Sequence, residues 1–178
     1  MRSLLHPPAA LRDLALLLTR VVLGVVLMAH GWQKLGTNGI DGVAAGFGKM
    51  GIPASELAAW FAALVELVGG ALILVGLATP LGALLVVLNM AGAFWFAHRD
   101  GGVFVTDGGW ELVAVIAAAS LALIGAGAGR ISLDGLLGRG RGSRDGRRPV
   151  SATASRSGPP APDGPVSRAA PGIEPRQV

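Results

Sequence analysis

The sequence predicts an all-α integral membrane protein, an antiparallel four-helix bundle followed by a disordered C-terminal tail. Three observations predict this fold class. Apolar residues make up 52% of the chain and charged residues only 15%, and the mean hydropathy is +0.58. The apolar residues lie in long blocks, each close to the roughly 20 residues that cross a hydrocarbon core of about 30 Å. The predicted spans cover residues 14–34, 57–77, 80–97 and 110–128 within a membrane domain of residues 14–136.

Residues 1–13 form a short basic lead before the first span, and the Pro7-Pro8 pair predicts that the lead is not helical. The lead and the apolar run after it resemble a signal peptide. However, the run contains Arg20 and continues to Met28, which is longer than the usual core of such a peptide. We therefore expect the run to remain in place as span one.

Span one carries three basic side chains on or beside a glycine face. At about 100° per residue, Arg20, Gly24, Gly31 and Lys34 share one face of the helix, and His30 flanks it. Small residues let transmembrane helices approach closely, so this face is expected to contact a neighbouring helix.

Span two carries an acid, Glu66, at its middle. A carboxylate at this depth costs several kcal/mol unless it is paired, protonated or open to a wet cavity, so it is a functional candidate by default. Small residues surround it at helical spacing and predict that Glu66 faces another helix. They are Ala59, Ala62, Ala63, Gly69 and Gly70.

The natural partner for this acid is Arg20. Measured from the same side of the membrane, Arg20 lies roughly 9 Å and Glu66 roughly 16 Å into the core, a difference that an arginine side chain can bridge. We therefore predict a buried Arg20–Glu66 ion pair. The alternative is that Arg20 reaches the lipid headgroups and Glu66 is protonated.

The remaining connections set the topology. The glycine-rich loop after span one is expected to hold a short surface helix from Asp41 to Met50. The turn at residues 76–80 is so short that spans two and three must form an antiparallel hairpin. Span three carries Asn89 near mid-depth, where an amide more often bonds to another helix than to a ligand. Arg20, Glu66 and Asn89 are the predicted buried polar core.

A second polar layer is expected near the other membrane surface. Antiparallel spans bring together His30 and Lys34 of span one, His98 of the loop at residues 98–109, and Glu111 of span four. The four tryptophans fall at this same end, namely Trp32, Trp60, Trp95 and Trp110. This layer predicts a pocket, roofed by tryptophans, for a quinone headgroup or a small anion. The alternatives are that these polar groups satisfy one another and face water, and that Glu111 only complements its helix dipole.

The basic residues predict the orientation. Nine of the fifteen Lys and Arg lie from Arg130 onward, and the tail of residues 137–178 is rich in Arg, Gly, Pro and Ser. We therefore expect both termini to be cytoplasmic, with the tail disordered and held against anionic lipid. The sequence pI of about 11.0 suggests nucleic-acid binding, but no aromatic platform accompanies the charge, and that partner is not expected.

The chain contains no cysteine. It therefore holds no disulfide, no thiolate nucleophile and no cysteine metal site, and any dithiol chemistry would belong to a partner. No metal site and no covalently bound cofactor are expected.

Several short motifs, taken in order, resemble the DoxX family of bacterial four-helix membrane proteins over residues 14–136. The matching positions are Arg20, Gly24, His30, Gly31 and Lys34, then Glu66, Gly69, Gly70, Leu74 and Gly76, then Trp110 and Glu111, and last Gly127, Gly129, Ser132, Leu133 and Asp134. The resemblance implies a place in the bacterial plasma membrane and a link to redox chemistry. Relatives include the small subunit of a thiosulfate:quinone oxidoreductase and a member of a complex with superoxide dismutase and a sulfurtransferase.

Two functions follow as hypotheses. The first is the membrane subunit of an oxidoreductase system linked to quinone, sulfur or oxidative-stress chemistry, with a quinone as its cofactor and a soluble oxidoreductase or sulfurtransferase as partner. The second is a non-catalytic scaffold or assembly factor whose polar core only specifies packing. Either could act as a homo-oligomer. A small-solute transporter is disfavoured because the sequence shows neither broken helices nor an inverted repeat. The sequence assigns no catalytic residue.

Overall fold

The computed structural model describes residues 8–137, and all regular secondary structure in this range is helical. The first seven residues of the predicted lead and the tail from residue 138 onward lie outside the described range. The helices are α1 (Ala9–Thr37), α2 (Ile40–Lys49), α3 (Ser55–Val75), α4 (Thr79–His98) and α5 (Glu111–Ala126), with a short 3-10 turn at Val105–Asp107. The predicted all-α membrane fold is confirmed.

Three helices are long and apolar enough to cross a bilayer. They are α1, α3 and α4, with 29, 21 and 20 residues. The fourth, α5, has 16 residues and is therefore about 24 Å long at 1.5 Å per residue. The chain is a multi-pass membrane protein, and its residues 8–137 contain three membrane-length helices and one shorter apolar helix, α5.

The first helix begins earlier than the predicted span. It starts at Ala9 rather than at residue 14, so residues 9–13 of the predicted lead are helical. Pro8 precedes the first helical residue, at the end of a helix where the missing N–H and fixed φ of proline do no harm. The proline pair therefore marks where the helix begins.

Helices α1, α3, α4 and α5 form one bundle. Helix α1 packs on α3, α3 on α4, and α4 on α5, and α5 returns to α1. The bundle has two distinct ends. The turn end holds the start of α1, the α3–α4 turn and the segment after α5. The loop end holds α2 and the connection between α4 and α5. Helix α2 packs on α3 and matches the surface helix predicted from Asp41 to Met50.

The glycine face of α1 contacts α3 directly, as predicted. A methyl group added at Gly24 would lie 2.8 Å from the carbonyl oxygen of Gly70, and one added at Gly31 would lie 2.5 Å from the backbone nitrogen of Leu67. No side chain fits in these gaps. Glycine at both positions lets the two backbones pack at the distance that membrane helices need for strong van der Waals contact.

The hairpin of α3 and α4 turns within three residues. Gly76 ends α3 with φ +72°, and its N–H and that of Leu77 both donate to the carbonyl of Leu72. Ala78 also has positive φ and precedes the first residue of α4. Because glycine adopts this conformation without strain, Gly76 suits the point where the chain reverses.

Candidate functional site

Arg20 lies at the turn end and is 2% exposed. Its guanidinium donates to four backbone carbonyls: Nε to Ile73 (2.9 Å), Nη2 to Leu74 (3.0 Å), and Nη1 to Ala128 (2.6 Å) and Ile131 (2.8 Å). The last carbonyls of a helix have no partner within it, and the negative end of the helix dipole attracts a cation there. Arg20 therefore caps α3 and ties it to the segment after α5.

The predicted Arg20–Glu66 pair is wrong, and the direction of helical side chains gives the reason. Side chains tilt toward the N-terminus of their helix. Arg20 therefore leads away from Glu66, toward the start of α1 and the end of α3. Lys34 lies on the same face of α1 but beyond Glu66, so its side chain leans back toward the acid.

The segment after α5 is held at the turn end by further bonds. The Asp134 carboxylate accepts from the backbone N–H groups of Ala78 (3.0 Å) and Thr79 (3.2 Å) at the start of α4. The Asp13 carboxylate of α1 accepts from the N–H of Arg130 (3.1 Å). The segment after α5 is therefore bonded both to α1 and to the start of α4.

Glu66 lies on the loop-end side and has two partners. Its Oε2 accepts from Lys34 Nζ at 2.5 Å, and its Oε1 accepts from Asn89 Nδ2 at 3.1 Å. The Glu66 side chain is 7% exposed and that of Lys34 is 21% exposed. The acid is thus held by a cation from α1 and an amide from α4, and we call this set the Lys34–Glu66–Asn89 network.

Each membrane-length helix departs from α-helical geometry beside this network. The π-helical turns are Gln33–Thr37 in α1, Val65–Gly69 in α3 and Phe94–His98 in α4. They contain Lys34, Glu66 and His98 respectively. Single π turns inside α-helices are rare and frequent at functional sites. The same region of three separate helices is therefore marked by its backbone as well as by its charges.

A cavity of about 450 Å³ opens beside the network in the loop-end half of the bundle. Three of the four predicted pocket residues line it, His30, Lys34 and His98, together with Glu66 and Asn89 from the predicted deeper layer. The rest of the lining is apolar. It consists of Leu27, Phe47, Ile52, Ala58, Phe61, Ala62, Leu88, Met90, Gly92, Ala93, Phe96, Ala97, Val105, Leu112, Val113 and Ile116.

Two predictions about this layer fail. Glu111 does not line the cavity, and its Oε1 accepts instead from the backbone N–H of Val105 at 2.8 Å, which holds the loop before α5. The predicted roof of tryptophans is also wrong. Trp32, Trp60 and Trp95 are exposed and Trp110 packs edge-on against Phe94, so the aromatic side chains that line the cavity are phenylalanines.

The polar groups of the cavity offer both hydrogen-bond donors and a proton acceptor. An ammonium has three N–H donors, and within residues 8–137 Lys34 uses one on Glu66, so others can serve an oxygen atom in the cavity. His98 Nδ1 lies 2.9 Å from the carbonyl oxygen of Gly108. Since a carbonyl only accepts, Nδ1 carries the hydrogen, and Nε2 of the neutral ring is free to take up a proton.

Comparisons with known proteins agree with the family resemblance seen in the sequence motifs. The family model named DoxX matches residues 15–99. A Bacillus subtilis protein named "Putative oxidoreductase CatD" is 36% identical over 81 residues, which are 46% of this chain and 58% of that protein. The chain thus spans little more than half of that relative. "Uncharacterized membrane protein Rv3486" of Mycobacterium tuberculosis is 32% identical over 126 residues, 65% of this chain and 76% of that protein. No solved structure matches.

Proposed function

The chain belongs to the DoxX family of membrane proteins, and from this we propose that it is the membrane subunit of an oxidoreductase system that binds a quinone in the loop-end cavity. One observation carries the proposal. A charged network buried between three helices opens onto a cavity whose walls are otherwise almost entirely apolar. The printed name of the Bacillus subtilis relative describes an oxidoreductase, which agrees with the proposal.

The lining fits a quinone headgroup. A quinone is a flat apolar ring whose two carbonyl oxygens accept hydrogen bonds. The cavity of about 450 Å³ falls within the usual range for small-molecule sites, and its phenylalanines can pack on a ring. Lys34 would donate to one carbonyl oxygen, and Asn89 has a second N–H for the same task.

The chain's own residues would supply position and protons. A bound quinone supplies the chemistry of accepting two electrons and two protons at its carbonyl oxygens. Lys34 would hold one of those oxygens, with Glu66 keeping the ammonium in place. His98 would exchange a proton at Nε2, since its Nδ1–H is bonded to the carbonyl oxygen of Gly108. The sequence has no cysteine and so cannot supply electrons by dithiol chemistry. In this proposal the electrons would come from a soluble oxidoreductase partner.

The alternative, a non-catalytic scaffold, is favoured by a different observation. Both oxygens of Glu66 already accept hydrogen bonds from within the chain, so the network can serve packing without any ligand. The two hypotheses differ in whether Lys34 has a second partner in the cavity.

We further propose that the protein lies in the bacterial plasma membrane with its turn end in the cytoplasm. Arg12 and the arginines from Arg130 onward lie on the turn-end side of the spans in the sequence, and an excess of basic residues favours the cytoplasmic side. Because the chain has no cysteine, Arg12→Cys and Asp107→Cys each introduce a single thiol, at the turn end and the loop end respectively. An impermeant maleimide should label intact cells at residue 107 and not at residue 12. The reverse pattern would contradict the orientation.

The proposed function is tested by equilibrium binding of a short-chain quinone and of thiosulfate to protein in lipid nanodiscs. Wild type should bind the quinone. Lys34→Gln should weaken binding by about tenfold or more, because it removes a charge-assisted hydrogen bond. Arg99→Gln is the matched control, since it removes a cation at the same end that does not line the cavity, and it should bind like wild type.

A folding control accompanies the Lys34 variant. Lys34→Gln/Glu66→Gln removes both charges and keeps groups that can hydrogen-bond, so it should fold even if the single variant does not. It too should bind the quinone weakly. If folded wild type binds neither quinone nor thiosulfate, the oxidoreductase hypothesis is rejected in favour of the scaffold.

A further inference from the structure

We propose that the cavity takes a tailed quinone, whose headgroup lies at the Lys34–Glu66–Asn89 network and whose hydrocarbon tail leaves the bundle sideways between α3 and α4 into the bilayer. This inference rests on the proposed function and names its ligand class. It predicts that a side chain placed in this gap excludes a tailed quinone and still admits a tailless one.

The first step is the shape of the α3–α4 hairpin. Among the described segments of α3, Val65–Gly69 and Gly70–Val75 pack closely on α4, whereas Ser55–Leu64 packs on α2 and α1. The two helices are joined at the turn end and part toward the loop end. The cavity is lined from both sides of this gap, by Phe61 of α3 and by Phe96 of α4 among others.

The second step is that the cavity reaches the outside of the bundle at this gap. Phe61, Leu88 and Phe96 line the cavity and are nevertheless 44%, 55% and 39% exposed. Leu88 is near the middle of α4, so it lies about 15 Å along a helix long enough to span the membrane. What surrounds the bundle at that depth is hydrocarbon and not water. The opening therefore leads into the lipid.

The third step is the position of Gly92. It lies on α4 three residues after Asn89 and one turn after Leu88, and it lines the cavity. A side chain built at Gly92 would meet no heavy atom within 4 Å. The cavity therefore has open space beside Gly92, one turn from Leu88. A headgroup bonded near Asn89 has a route for its tail past Gly92 on the same helix face.

The charge distribution fits this ligand better than a free anion. Glu66 and Asn89 line the cavity near the middle of their helices, and the exposed side chains along the gap, Phe61, Leu88 and Phe96, are apolar. A small anion would meet hydrocarbon at such an opening, where an unpaired charge is costly, whereas the tail of an amphiphile remains in the lipid that already surrounds it. The gap therefore matches an amphiphile.

The test compares a tailless quinone with the same quinone carrying a decyl tail, each measured in nanodiscs with protein-free discs as the reference for partitioning. After partitioning is subtracted, wild type should bind the two forms within about threefold of each other, because the tail passes from one hydrocarbon environment to another. Gly92→Leu should weaken binding of the tailed form by about tenfold or more by filling the gap, while changing affinity for the tailless form by less than about threefold.

Gly125→Leu is the matched control. Gly125 is also a helical glycine at which an added side chain meets nothing within 4 Å, but it lies on α5 and does not line the cavity. This variant should bind both forms as wild type does. Leu88→Trp is a second variant at the gap, and its exposed position means that it should fold whether or not Gly92→Leu does. It should reduce binding of the tailed form alone.

The outcomes separate the two proposals. If wild type binds neither quinone, the proposed function fails. If wild type binds the tailless form but not the tailed form, or if the folded Gly92→Leu and Leu88→Trp variants bind the tailed form as wild type does, the lateral route is overturned while the quinone site stands. Loss of both quinones in Gly92→Leu would also overturn the route, because it would place the headgroup itself at the gap.

Discussion

The two ends of the bundle bury positive charge in different ways. At the turn end, Arg20 is 2% exposed and its guanidinium donates to four backbone carbonyls from two segments of the chain. At the loop end, the side chain of Lys34 is 21% exposed, pairs with an acid and borders a cavity. Within residues 8–137, Arg20 is enclosed by its backbone partners at the turn end, whereas Lys34 borders a cavity at the loop end. The opening beside the buried charge is therefore what distinguishes the candidate site from the turn end.

The residue types suit these roles. A guanidinium presents five N–H donors in a fixed plane, which matches several carbonyls at once, whereas an ammonium is a compact charge that can change partner. The turn end uses the first to join three parts of the chain. The loop end uses the second beside a cavity, where a ligand oxygen could be an additional partner.

The largest expected effect comes from Arg20→Lys. The shorter ammonium cannot reach the carbonyls of both α3 and the segment after α5, and buried carbonyls are then left without donors. We expect a loss of about 3 kcal/mol or more in the free energy of unfolding, measured by titration with a denaturing detergent. Arg12→Lys, an exposed change in the same helix, should have little effect. A fully stable Arg20→Lys protein would remove the distinction between the two ends.

A smaller effect is expected from Gly31→Ala. Gly31 lies on the α1 face that carries Lys34, and a methyl group there would lie 2.5 Å from the backbone nitrogen of Leu67. The helices must separate to admit it, at a cost of about 1–3 kcal/mol. Gly92→Ala is the matched control, because the space at that glycine is open. Equal stability of the two variants would show that α1 and α3 do not pack as closely as described.

The smallest effect is expected from Asp134→Ala. This change removes the carboxylate that accepts from the N–H groups of Ala78 and Thr79, in the manner of a helix N-cap. The expected loss is about 1 kcal/mol in the free energy of unfolding, with quinone binding unchanged. Asp107→Ala removes an exposed acid at the loop end and should leave stability unaltered. A loss of quinone binding in Asp134→Ala would mean that the two ends are coupled.

Much of the fold could be predicted from the sequence, because span length and helix packing in membranes depend on local composition. The apolar blocks indicated the long helices, and Gly24 and Gly31 indicated which face of α1 meets α3. The start of α1 was predicted too late because Pro7 and Pro8 were given a helix-breaking role, whereas Pro8 only precedes the first turn.

The candidate site was predicted only in part. Depth along the helices suggested Arg20 as the partner of Glu66, but depth ignores the direction in which side chains leave a helix. With that direction included, Lys34 is the nearer cation, and Arg20 points to the carbonyls that end α3. The π turns, and the parting of α3 from α4, have no simple sequence signal because they depend on tertiary packing. The role of Glu111 also depended on the fold of a loop.

The central claim, that the ligand lies at the loop end and that the turn end is closed, is tested most directly by photocrosslinking. A quinone with an azide on its ring and a decyl tail would be irradiated with the protein in nanodiscs, and the labelled residues identified by mass spectrometry. The account predicts labels within residues 58–66 and 88–98 that unlabelled quinone removes by competition. Labels confined to residues 127–134, or spread over the lipid-facing surface and insensitive to competition, would contradict it.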